Sequence, residues 1–237
     1  QRRSYIKHAE ESELQLSAIT NKKNFRIQIL QMSTLEALPQ DVLGDILSRV
    51  AQSSRRDVQQ CMTVSSELAE AANDTRVYNK LNLKPLAMNP LTTLNKYKAL
   101  MVKCLDSGNG EAHYIEGIKE YFYYNNDAGL HHLRLSAANS YEDGIYLYGL
   151  IMFCRGEIEE GKKYLDMLQW QKSKIRADHC WRNNKISLRG IHVIKKALYR
   201  NTMRNNKPPR RCNLNDMDTR CKKCYYYKQM KKFMNHN

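Results

Sequence analysis

Residues 38–50, LPQDVLGDILSRV, and 57–83, DVQQCMTVSSELAEAANDTRVYNKLNL, decide the fold. Val42, Leu43, Ile46, Leu47 and Val50 fall on one stripe of a helix. Pro39 stands in the first turn, where its missing N–H would have had no partner. A second stripe, Val58, Cys61, Met62, Val64, Leu68, Ala69 and Ala72, predicts a second helix. Asn73-Asp74 breaks it, and Asp74 or Thr75 is placed to cap a third short helix through Val77, Tyr78 and Leu81. Three short amphipathic helices enclose a small core and leave an apolar face unspent. Such a face usually belongs to a partner.

The rest of the chain also reads as helix. Gly and Pro number 10 and 5 in 237 residues, and β-branched alternation is almost absent, so the expected class is all-α. Leu91, Leu94, Tyr97, Leu100, Met101 and Cys104 predict a helix, and residues 106–110, DSGNG, a loop. The chain then repeats at an offset of 32: Ala112, Tyr114, Gly117, Phe122, Asp127, Gly129 and Leu133 align with Gly144, Tyr146, Gly149, Cys154, Glu159, Gly161 and Leu165. Small residues at fixed places let paired helices pack closely, the logic of helix–turn–helix repeats. Two units need caps; the N-terminal helices and a helix near Ile186 to Met203 are the candidates. The run Tyr121, Phe122, Tyr123, Tyr124 cannot all face one core. Tyr121, Tyr123 and Tyr124 are therefore candidates for holding a protein target, with cover by a neighbouring element as the alternative.

Charge is divided. The net charge is +15, yet residues 171–237 carry 19 basic and 3 acidic residues, while residues 1–170 carry 20 and 21. A near-neutral body with a basic C-terminal segment suits an acidic partner: a protein surface, RNA, DNA or an import receptor. A solvated helix face explains it equally well. No apolar run reaches the roughly 18 residues of a membrane span. Seven cysteines without a secretory pattern point to reduced thiols in the nucleus, the cytoplasm or both. Residues 1–33 are expected to be a poorly ordered extension.

Cys212, Cys221 and Cys224 form C-x8-C-x2-C. A C-x2-C pair is a common zinc half-site, because two thiolates so spaced reach one tetrahedral ion. His236, Cys180, His179 and His192 are the candidate fourth ligands, and Arg210, Arg211, Arg220, Lys222 and Lys223 favour thiolates. No cofactor other than zinc is suggested, and free or buried thiols are the alternative. Beyond Cys224, Tyr226, Met230 and Phe233 share one helical face and are expected to tuck against the body; stacking on nucleic-acid bases is the alternative.

No G-x-S-x-G, P-loop or H-E-x-x-H pattern is present. His131 and His132 point about 100° apart on a helix. His179-Cys180 lacks a third group to position a base. A non-enzymatic protein is expected.

Leu38-Pro39, Val42-Leu43, Ile46-Leu47 and Val64-Ser65 together resemble the F-box, the motif by which substrate receptors dock on the Skp-type adaptor of cullin–RING ubiquitin ligases. Leu68 stands where that family often carries Trp or Phe. An ordinary helical core with an accidental Leu-Pro start is the alternative. The repeats resemble tetratricopeptide or Sel-like units. The whole order, 34–83 F-box, 84–205 helical-repeat domain and 206–237 basic Cys-rich segment, resembles plant F-box proteins with a tetratricopeptide-like domain. The resemblance implies a substrate-recognition subunit with a Skp-type adaptor, a cullin and an unknown protein substrate as partners, and no membrane. It implies adaptor contacts through Leu38, Pro39, Val42, Leu43, Ile46, Leu47, Val58, Cys61, Val64 and Leu68. The alternative is a nucleic-acid-binding repeat protein that uses the basic, zinc-holding segment.

Overall fold

A computed structural model describes residues 35–216, 219, 221, 222 and 224–236. The 1–33 extension, and Arg220 and Lys223 beside the C-terminal cysteines, lie outside the described residues. The regular structure described is entirely helical. The N-terminal unit contains α1 (Gln40–Ser53), α2 (Arg55–Cys61), α3 (Ser66–Ala71) and α4 (Thr75–Lys80). A spacer carries α5 (Lys84–Ala87) and α6 (Lys98–Asp106). Two hairpins follow: α7 (Gly110–Ile118) with α8 (Gly129–Ala138), then α9 (Glu142–Arg155) with α10 (Ile158–Met167). The chain closes with α11 (Ile175–Ser187), α12 (Ala197–Asn205) and α13 (Tyr225–Met234).

Side-chain caps punctuate the N-terminal unit. Ser54 accepts from Asp57 N–H at 3.1 Å, Ser65 from Leu68 N–H at 3.3 Å and Asp74 from Arg76 N–H at 2.8 Å. The second expected helix is therefore two. Ser65 is extended, with φ −151°, and restarts the chain as α3. Two other expected helices also break. The stretch from Leu91 begins as a 3-10 turn, Pro90–Thr93, and becomes helical only at Lys98. The Ile186–Met203 helix is the end of α11 and most of α12, divided where Gly190 adopts φ +80°.

The repeat is visible as geometry. A Cβ on Gly117 would stand 2.7 Å from Leu133 Cγ, and one on Gly129 would stand 2.8 Å from Gly117 O. In the second hairpin a Cβ on Gly161 would stand 2.8 Å from Gly149 O. Both crossings thus bring backbone against backbone at the positions the offset aligned. Helix α9 is apolar on every side and packs against α8, α10, α11, α12 and α13. Helix α13 is integral to the body. Tyr225 stacks on Trp170 with ring centroids 3.8 Å apart, Tyr146 O–H donates to Gln229 Oε1 at 2.8 Å, and Phe233 meets Phe122 and Tyr199. Tyr226, Met230 and Phe233 are all buried, as their spacing predicts. The buried side chains form one apolar cluster from Leu43 to Phe233.

Candidate functional site

Helix α1 has two apolar faces with different fates. Leu43, Leu47 and Ala51 are buried in the N-terminal core with Val58, Leu68 and Val77. Leu38 and Val42 remain 39% and 41% exposed, and Val64, before α3, is 67% exposed. Pro39 is exposed, and Ile46 and Cys61 are half-buried. Gln40 Nε2 donates to Glu67 O at 3.2 Å, which ties the start of α3 to the start of α1. Arg76 fixes the same corner from α4, pairing with Asp41 at 2.8 Å and Asp74 at 2.7 Å. That guanidinium holds the Asp74 carboxyl below its usual range. Gly44 makes room for the pair: a Cβ there would stand 2.8 Å from both Arg76 Nη2 and Asp74 Oδ2.

The ten residues named from the sequence as adaptor contacts therefore divide. Leu38, Pro39, Val42 and Val64 are exposed, and Ile46 and Cys61 are half-buried. Leu43, Leu47, Val58 and Leu68 are core instead, because a helix this short must spend one face on its own unit. Leu35 was missed; it is 53% exposed and is tied to Leu38 by a backbone bond of 3.0 Å. Its position three residues before Leu38 was the available signal.

The tyrosine run divides similarly. Residues Lys119–Tyr123 form a π turn, closed by Tyr124 N–H to Lys119 O at 2.9 Å. The wider turn carries Tyr121 inward. Tyr121 is 4% exposed, hydrogen-bonded to the Tyr199 hydroxyl and edge-on to Phe122, so it is a core residue and not a contact for a target. Tyr123 and Tyr124 are 45% and 54% exposed.

Among the described residues, one group of thiols, carboxylates or imidazoles is close enough to share an ion: Cys212, Cys221 and Cys224, whose Sγ atoms all lie within 4.8 Å of one another. Cys212 Sγ to Cys221 Sγ is 3.8 Å, and Cys221 Sγ to Cys224 Sγ is 3.4 Å. The proposed fourth ligands are elsewhere. His236 is at the far end of α13, its ring edge on Trp181. Cys180 is fully buried beside Asp143, where burial pushes its thiol up. His179 lies 3.3 Å from Asn183, and His192 is exposed between α11 and α12. The His179-Cys180 pair is thus split, and the buried thiol is a poor nucleophile.

The described residues define an all-helical protein in which a compact N-terminal helical unit is joined to paired-helix repeats. The model of a family of plant tetratricopeptide repeats matches residues 83–189. F-box protein At2g35280 of Arabidopsis thaliana is 41% identical over 145 residues, which cover 61% of this chain and 88% of that protein. Putative F-box protein At1g67623 of the same plant is 31% identical over 123 residues, 52% of this chain and 41% of that one. No solved structure matches. The chain belongs to the plant F-box proteins that carry tetratricopeptide-like repeats.

Proposed function

We propose that this chain is the substrate-recognition subunit of a Skp–cullin–F-box ubiquitin ligase. It docks on the Skp-type adaptor through Leu35, Leu38, Pro39, Val42 and Val64, and holds a protein target on its helical domain. The observation that carries the reading is the split of α1: one face is consumed by its own core, and a second apolar face stays open at the Leu-Pro corner. Exposed Tyr123 and Tyr124 are the proposed target contacts. The protein acts without catalysis of its own, raising the local concentration of target beside a ubiquitin-loaded enzyme. The expected setting is nuclear, cytoplasmic or both.

The basic segment gives weaker support to a nucleic-acid function, because several of its cations have internal duties. Lys196 pairs with Asp127 at 2.8 Å, Arg176 with Glu142 at 2.7 Å and Lys232 with Asp178 at 3.3 Å, and Lys228 is buried.

The test is co-purification with a Skp-type adaptor. Val42→Asp or Val64→Asp places a charge in the docking surface and is expected to weaken binding at least about tenfold. Circular dichroism and the unfolding midpoint should stay near wild type, since both positions are exposed. Leu43→Asp would instead disrupt the core and lose binding with the fold. Normal adaptor binding by the double variant Val42→Asp, Val64→Asp would sink the surface assignment.

A further inference from the structure

The three clustered thiols behave unlike the other four cysteines. Cys104, Cys154 and Cys180 are each fully buried in the core, and Cys61 is half-buried in the N-terminal unit. Burial pushes the Cys104 thiol up to about 12. Cys212, Cys221 and Cys224 instead converge from a loop and the residue that opens α13; one is buried, one half-buried and one exposed. A disulfide would engage two sulfurs and strand the third. A tetrahedral zinc ion with Zn–S bonds of about 2.3 Å sets its sulfurs about 3.8 Å apart. The separations of 3.8 Å and 3.4 Å lie close to that edge. The Cys221 N–H also points to Cys224 Sγ at 3.4 Å, which ties the two cysteines together.

A second observation is independent of the sulfurs. The loop that carries Cys212 and Cys221 is held on α13 by two lysines. Lys228, 1% exposed, donates to the carbonyls of Asp216 and Thr219, and Lys231 donates to Leu214 O at 3.0 Å. These bonds fix the loop of Cys212 and Cys221 against the helix that Cys224 opens.

We propose that Cys212, Cys221 and Cys224 bind one zinc ion through three of its four coordination positions. The ion clasps Cys212 and Cys221 to the start of α13 and so fixes the last helix on the repeat body. His236 takes no part: α13 spans ten residues, about 15 Å, between the thiols and that ring. The site is independent of adaptor docking, so its failure would leave the receptor reading untouched.

The experiment uses the full chain purified without added metal, then titrated with Zn2+ alone and with Co2+ alone. Elemental analysis is expected to find one zinc per chain, lost in Cys221→Ser and kept in Cys180→Ser. Cys221 is exposed, so its replacement by Ser should leave the helical content intact. Co2+ should give thiolate charge-transfer absorption in the wild type and lose it in Cys221→Ser. A strong chelator should lower the unfolding midpoint of wild type and leave that of Cys221→Ser unchanged. The proposal is overturned by a metal-free wild type that also fails to take up Zn2+ or Co2+, by zinc retained in Cys221→Ser, or by a Cys221–Cys224 disulfide in the protein handled under reducing conditions.

Discussion

A single missing methyl group sets how closely the repeat helices approach. By helix propensity alone, Gly161→Ala would stabilise α10 by about 1 kcal/mol. The local geometry reverses the sign. The new Cβ would stand 2.5 Å from Phe153 N and 2.8 Å from Gly149 O, and backbone atoms cannot step aside. Helices α9 and α10 would have to separate, at a cost of about 1–3 kcal/mol. A urea titration should show a lower midpoint with an unchanged slope. A variant more stable than wild type would show that the two helices can separate without cost. These glycines were legible in the sequence, because the offset of 32 placed the same small residue at both crossings. Tyr121 was not read correctly. The turn at Lys119–Tyr123 is one residue wider per hydrogen bond than an α-helix, and counting at period 3.6 loses phase there. The same offset pairs Tyr121 with the buried Phe153, and that pairing was the signal available to place it.

At the scale of elements, α7 and α8 meet through an imidazole pair that no pattern in either helix announces. His113 on α7 is 6% exposed, and its Nδ1 lies 3.1 Å from Nδ1 of His132 on α8. The sequence showed His131 and His132 diverging, which is correct, but the partner 19 residues earlier depends on the crossing of two helices. Burial, and then the neighbouring His132 and His131, hold His113 down to about 4 from an ordinary 6.5. Burial also lowers His132. The pair is therefore neutral in the fold, while an unfolded chain takes up protons as pH falls below about 6.5. Since the unfolded state binds more protons in that window, stability is fully present above about 6.5 and is lost as pH falls toward about 4. Below that value the His113 contribution levels off. His113→Gln should flatten this part of the pH dependence. The check is the wild-type minus variant difference in urea midpoint, which subtracts the carboxylates that titrate nearby. A difference that does not change between pH 7 and pH 4 would remove the imidazole pair as its source.

At the scale of the whole molecule, the N-terminal unit and the repeats share one apolar cluster, and Asn109 links them by hydrogen bonds. The DSGNG run reads as a loop in the sequence, but Asn109 within it is 2% exposed and bonds in both directions. Its Nδ2 donates to Tyr78 O and Leu81 O, both at 2.9 Å, closing the end of α4. Its Oδ1 accepts from Glu111 N–H at 2.9 Å and Ala112 N–H at 3.0 Å, capping α7. Asn79 adds a bond to Ser107 O at 2.7 Å, and the Glu111 carboxylate accepts from Leu83 N–H. Within the DSGNG run Asn109 reads as ordinary loop polarity, because the two carbonyls it bonds lie about 30 residues earlier and no local pattern reports them. The joint bears on the proposed function, since ubiquitin delivery by proximity works best when docking and target surfaces keep a fixed separation. Asn109→Ser separates the two roles: the hydroxyl still caps α7, while two buried carbonyls lose their donor. Each such loss costs about 1–3 kcal/mol. The variant should therefore unfold at lower denaturant than wild type. Amide exchange should rise together at 79–83 and 110–112, while α9 and α10 keep their protection. Adaptor binding should persist, because the Leu35, Leu38, Val42 and Val64 surface lies outside this joint. Wild-type stability and unchanged exchange in Asn109→Ser would mean that the two carbonyls find other donors and that the body is held together elsewhere.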